Sequence, residues 1–228
     1  MDRWMSLAII SVSIVLAAPC AAAVTVEPTA SLVGAEALAQ IEGLPDIVAD
    51  SMNQSSSLDS LWAAAAAYRF EGAMSCTVRT TSCAVWQSTA QGHVRFHVER
   101  LALATWDWCG FAMCWEYSFT TSSEAVFAVQ SSCFEDVRFL PDGSWTTETA
   151  ELGLTVDGSY SPIFGADSLD VLLSAGPHAV RLWRSSCLVD APDQERRLHC
   201  EVDWEVRDLS PVAPETWGRI KSQFRQLE

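Results

Sequence analysis

Cysteine placement constrains this chain more than any other feature. Of eight cysteines, Cys20 falls in an N-terminal leader, which leaves seven: Cys76, Cys83, Cys109, Cys114, Cys133, Cys187 and Cys200. The leader has an arginine near its start, an apolar run from Leu7 to Ala18 and small residues ending at Ala23. That is the three-part pattern of a secretory signal peptide, here residues 1–23, with cleavage after Ala23. The apolar run of about 12 residues falls short of the ~20 that a spanning helix needs. Cys20 follows an apolar run as a lipidated cysteine would, but Pro19 stands where lipoprotein signals place a small residue. An exported chain meets an oxidising compartment, where cysteines pair. Seven is odd, so one thiol is left over.

The spacing suggests stapled hairpins. WDWCGFAMCWEY, Trp106 to Tyr117, is nearly its own mirror image. Folded on its centre, it would set Cys109 against Cys114, Trp108 against Trp115, Asp107 against Glu116 and Trp106 against Tyr117. Directly opposed strand residues lie within disulfide reach. Alternation would then place Trp106, Trp108, Trp115 and Tyr117 on one face and the sulfurs with the acids on the other. Cys187 and Cys200 flank the turn-like APDQE in the same way, and Cys76 and Cys83 bracket TVRTTS. Three local bridges leave Cys133 as the odd thiol, although pairing of Cys133 with Cys109 or Cys114 stays open. Acids beside Cys109 and Cys114 would raise a thiol pKa, which argues against a redox pair. Their spacing is not that of a zinc knuckle, and no histidine joins them.

HVRFHVE offers a second metal pattern, because His93, Arg95, His97 and Glu99 share one strand face. A fixed cation between two imidazoles opposes a second cation, so this is read as a solvated face. His178 and His199 stand alone. No metal ligands and no cofactor are assigned. The chain lacks GxSxG, GxxxxGK[ST] and HExxH patterns, so no catalytic residue is assigned either. Acidic pairs such as Glu135 with Asp136 are expected by chance among 29 acids.

The organisation expected is α+β: a predominantly antiparallel sheet, sandwich- or barrel-like, with helices before and after it. Residues 24–72 read as a helical N-terminal segment, with Leu32, Leu38 and Ile41 on one stripe and Leu58, Leu61, Trp62, Ala65 and Arg69 on another. Residues 73–228 read as a β-rich domain. Its strands are expected at 75–80, 82–87, 94–98, 105–109, 114–119, 125–130, 133–140, 144–150, 152–156, 178–189 and 196–209, with turns at PDG (141–143) and DGS (157–159). ADSLDVLLSAGP suggests a short internal helix, and PETWGRIKSQFRQL a C-terminal amphipathic helix with Trp217, Ile220, Phe224 and Leu227 on one face.

A net charge of −15 makes the surface repel phosphate backbones and anionic headgroups, which excludes nucleic acid as an expected partner. No run after the leader is apolar for long enough to span a membrane, so the mature chain is expected to be soluble, in the periplasm or secreted. Only Lys221 among 14 basic residues is lysine, and Asn53 is the only asparagine, a bias typical of GC-rich bacterial genomes. The function expected first is a non-enzymatic envelope protein that binds an envelope protein or ligand, or takes part in assembly. An alternative is a module gripping carbohydrate or an apolar ligand with Trp106, Trp108, Trp115 and Tyr117. A hydrolase whose residues meet only in the fold ranks third.

Overall fold

The computed structural model describes residues 24–41, 44–55, 60–71, 74–103, 107–189 and 193–209. The expected signal peptide with Cys20, Trp106 and the expected C-terminal helix lie outside the described residues, as do the side chains of Trp108 and Cys187. Two antiparallel sheets form a sandwich. The first has the order β10 (Ser159–Phe164), β9 (Glu151–Val156), β12 (Gly176–Val189), β6 (Asp107–Thr121), β1 (Val26–Ile41) and β2 (Ile47–Ser55). The second has the order β11 (Ala166–Leu173), β7 (Ala125–Phe139), β13 (Gln194–Asp208), β5 (Gln91–Ala102), β4 (Met74–Ser88) and β3 (Leu61–Glu71), and β8 (Trp145–Thr149) also pairs with β7.

The fold is all-β, which corrects the α+β expectation. Among the described residues there is no helix. The segment read as helical supplies β1 and β2 to the first sheet and β3 to the second. In β1, Val33, Ala35, Ala37, Ala39 and Ile41 are all buried, a period of two. In β3, Leu61, Ala63, Ala65 and Ala67 are buried in the same way. Alanine is the strongest helix former, but intrinsic propensity is a small term, and pairing with β6 and β4 overrides it. Small inward side chains also let β1 and β3 approach closely where the sheets meet. The expected helix over ADSLDVLLSAGP is β11, paired with β7 along its length.

None of the three expected hairpins forms. The strands on either side of APDQE, β12 and β13, lie in different sheets, and the separate strands expected at 125–130 and 133–140 are one strand, β7. β4 and β6 are single long strands that run through TVRTTS and GFAM. Their inward stripes are unbroken: Cys76, Val78, Thr80, Ser82 and Ala84 in β4, and Cys109, Phe111, Met113, Trp115, Tyr117 and Phe119 in β6. The two polar members of the β4 stripe are satisfied, since Thr80 donates to the Ala65 carbonyl and Ser82 to the Gly34 carbonyl. Neither TVRTTS nor GFAM supplies turn chemistry strong enough to interrupt such a stripe.

The disulfides are corrected with the topology. Cys109 and Cys114 sit an odd number of residues apart on one strand, so they face opposite sides and cannot meet. Cys109 bonds Cys76, joining β6 of the first sheet to β4 of the second through the core. Cys200 bonds Cys133, its register partner on β7, and not Cys187. Cys133 is therefore not the odd thiol. Cys83 and Cys114 are the free cysteines among those described.

Aromatic rings fill the core between β6, β7 and β13. Trp115, Tyr117 and Phe119 follow one another along β6, and Trp204 lies 5.4 Å from Trp115, 5.1 Å from Tyr117 and 6.1 Å from Phe127. At one end of the sandwich the core turns polar. Arg100, on the inward stripe of β5, pairs with the buried carboxylate of Glu135, stacks over Phe111 at 5.1 Å and donates to the Cys109 carbonyl. Arg184 and Arg196 approach the other Glu135 oxygen at 3.9 and 3.8 Å.

The two lateral sides of the sandwich differ. On one, the chain crosses between sheets at Ala150 and again at Gly165, which donates to the Ala150 carbonyl, so the β9–β10 hairpin is an excursion into the first sheet and β8 and β11 lie end to end along β7 on either side of it. Gly165 has φ +57°, a conformation that favours glycine. On the other side the edge strands β2 and β3 meet without a shared ladder, and Asn53 reaches across to donate to the Trp62 carbonyl.

Candidate functional site

Trp115 and Tyr117 do not form a ligand-gripping face. Both lie on the inward stripe of β6 and are fully buried. The Tyr117 hydroxyl donates to the Thr89 carbonyl at 2.8 Å, and burial holds its pKa well above the ordinary phenol value. The two rings do share one face of β6, and that face is the core.

The free thiols sit on outer faces. Cys83 lies on β4 opposite Arg95 and Trp62, on the outer face of the second sheet. Cys114 lies on the first sheet, between Gly34 on β1 and Trp183 on β12. A side chain on Gly34 would press against the Cys114 sulfur, so the glycine makes room for it. Burial and then the Glu116 carboxylate raise the Cys114 pKa, which leaves a poor nucleophile.

The HVRFHVE face is a cross-strand ladder. His93 contacts Asp203 at 2.9 Å, Arg95 pairs with Glu201 at 2.9 Å, and His97 meets His199, its register partner, with their Nδ1 atoms 3.1 Å apart. Glu99 lies 3.6 Å from the Nε2 of His97. Partial burial and the neighbouring His199 lower the His97 pKa, with Glu99 acting in the opposite direction. Among the described residues no group of three His, Cys, Asp or Glu side chains converges in a metal-holding arrangement.

One constellation escaped the sequence reading. His178 Nδ1 lies 2.7 Å from Asp157, and its Nε2 lies 3.2 Å from the Thr121 hydroxyl, in the order of an acid–imidazole–hydroxyl relay. The details make it a clamp. Thr121 and His178 are buried, the Thr121 hydroxyl donates to the Ser174 carbonyl at 3.0 Å, and that carbonyl also lies 2.8 Å from His178 Nε2. A hydroxyl committed to a carbonyl and closed off from solvent is not poised to attack a substrate. The group instead ties the β9–β10 turn to the ends of β6 and β11. No sequence spacing signals it, because its members are brought together from three separate connections.

Two surfaces remain as candidates for binding. On the outer face of the first sheet a shallow depression of about 450 Å³ is lined by Gly34, Asp50, Met52, Cys114, Arg181 and Trp183. Beside it the Trp183 indole lies over Gly153, with Tyr160 6.2 Å away. The second surface is the β2–β3 seam. Its outward side chains include Met52, Trp62 and Phe70, exposed by 72%, 60% and 66%, together with Val48 and Tyr68. Each strand there is the last of its sheet and has one edge without a ladder partner.

No protein-family description and no curated protein sequence matches the chain. Among solved structures, the chain is similar to a GH31 α-xylosidase from Xanthomonas citri, with 9% identity and a TM-score of 0.22 over 82% of this chain. The chain spans 28% of that enzyme's length. A likeness at this score supports no inference about fold or activity.

Proposed function

We propose that this protein is a non-enzymatic component of the bacterial envelope, exported through its leader, that acts by binding or assembly through the β2–β3 seam. The observation that carries the reading is the unguarded character of that seam. Natural sheets protect their edges with charges, prolines, bulges or covering loops. Here the outward side chains of two adjoining edge strands are largely apolar and aromatic, and Asp50 is the only charge within β2. An edge of this kind pairs readily with an added strand, whose backbone supplies the hydrogen bonds while the aromatic side chains give specificity. The two disulfides fit an oxidising compartment.

Site-specific photocrosslinking tests this in the envelope of the producing cell. Crosslinkers at positions 62 and 70 are expected to trap a defined partner, and one at position 147 on β8 is not. Trp62→Arg with Phe70→Glu is expected to abolish the adduct while leaving the melting temperature nearly unchanged. Equal trapping from all three positions, or turnover of a substrate by the purified protein, contradicts the reading.

A second reading, that of a ligand-binding module, draws support from Trp183 and Tyr160 rather than from the residues first considered. A half-buried indole at the rim of a depression is suited to stacking on a sugar ring or an apolar molecule. Ligand-dependent quenching of tryptophan emission that is lost in Trp183→Ala supports this reading, and quenching that survives the substitution rejects it.

A further inference from the structure

We propose that His97 and His199 form a surface site for a divalent late transition-metal ion, copper(II) in preference to zinc. The inference rests on cross-strand geometry that neither strand reveals alone. The residues are direct register partners on β5 and β13, and their Nδ1 atoms approach to 3.1 Å. Two imidazole nitrogens bound cis to one metal at about 2.0–2.1 Å lie roughly 3 Å apart, so the observed separation is already that of a chelate. Beta strands hold the two backbones rigidly, and little rearrangement is needed to turn both lone pairs toward one ion.

Outer contacts favour the same arrangement. Glu99 stands beside Nε2 of His97, on the side away from His199. The negative charge there favours the ring proton on Nε2 and leaves Nδ1 free as a ligand, as a carboxylate beside a metal-bound histidine does. In the empty site one Nδ1 carries the proton shared between the rings. Metal binding moves that proton to Nε2 of the same ring, so no net proton is released. Arg95, the cation that argues against a site built from His93 and His97, is paired at 2.9 Å with Glu201. Arg197, the other nearby cation, is paired with Glu195. The depression formed by Arg95, His97, His199 and Glu201 is open to solvent, so water completes the coordination sphere. Two neutral nitrogens and water suit copper(II), which leads the divalent series at nitrogen sites.

The test uses tag-free mature protein titrated with copper(II) and, separately, with zinc(II), followed by calorimetry and by electron paramagnetic resonance of the copper form. One copper per chain is expected, with a spectrum showing two coordinated imidazole nitrogens, and weaker zinc binding at the same place. His97→Ala and His199→Ala should each weaken copper binding by at least about tenfold, and Glu99→Gln should weaken it severalfold. His93→Ala, whose imidazole faces Asp203 and has no second ring opposite, should leave binding unchanged. If His97→Ala fails to fold, His199→Gln on the exposed partner decides the matter. Copper bound as tightly by the His199 variants as by the parent protein, or no saturable copper binding by the parent, overturns the proposal.

Discussion

Trp204 lies directly opposite Gly92 across the β5–β13 pair, and its indole reaches to 2.7 Å from where a Cβ on that glycine would stand. The same relation recurs in the first sheet, where Trp183 covers its register partner Gly153. Each glycine lacks a side chain because an aromatic ring from the neighbouring strand supplies the packing in its place. The two pairs differ in freedom. Trp204 is buried, and the carbonyl oxygen of Val85 would also stand 2.7 Å from a Cβ on Gly92, whereas Trp183 is half-buried at the surface.

Gly92→Ala is therefore expected to destabilise the protein by about 1–3 kcal/mol, because neither the buried indole nor the backbone can retreat. Gly153→Ala should cost under about 1 kcal/mol, since the Trp183 ring can swing outward. Urea denaturation of both variants checks the order, and equal losses contradict it.

The Arg100–Glu135 pair predicts a larger loss. Glu135→Ala leaves the buried Arg100 guanidinium without its carboxylate and is expected to cost about 3–5 kcal/mol. Replacing both, as in Arg100→Met with Glu135→Leu, should cost less, because the fully buried guanidinium goes with its carboxylate and only the longer contacts of the partly exposed Arg184 and Arg196 to Glu135 are lost. Chemical denaturation of the single and double variants measures the difference. A double variant as unstable as Glu135→Ala contradicts the assignment.

Tyr117 predicts a limit at alkaline pH. Its folded pKa is raised by burial, while tyrosine in an unfolded chain ionises near pH 10. The unfolded state thus releases this proton first, so the contribution is intact below about pH 10 and is lost progressively as pH rises above it. Tyr117→Phe should flatten the fall in stability above pH 10 and cost about 0.5–1.5 kcal/mol at neutral pH, the worth of the bond to Thr89. Melting temperatures from pH 7 to 11 check this, and an unchanged alkaline slope contradicts it.

Much of the strand content was legible, and what misled was the choice of period and turn. HVRFHVERLA reads as β from its alternation and is β5. Asp157–Gly158 reads as a turn and joins β9 to β10, with both residues at positive φ as a tight hairpin requires. Ala35, Ala37 and Ala39 alternate just as clearly, but alanine counts toward helix on propensity, and only the pairing of β1 with β2 and β6 decides between the two. The mirror symmetry of WDWCGFAMCWEY suggests a fold-back, while the odd spacing of Cys109 and Cys114 puts them on opposite faces of any continuous strand. The partner of Cys109 lies 33 residues away on the opposing sheet, a distance no local pattern encodes. The His97–His199 contact is likewise hidden, because 102 residues separate the two.

Peptide mapping of the unreduced protein, with free thiols alkylated before digestion, tests the sandwich topology most directly. The account predicts linked peptides for Cys76 with Cys109 and for Cys133 with Cys200, and alkylated Cys83 and Cys114. Linkage of Cys109 to Cys114, or of Cys76 to Cys83, would require a turn inside β6 or β4 and would contradict it.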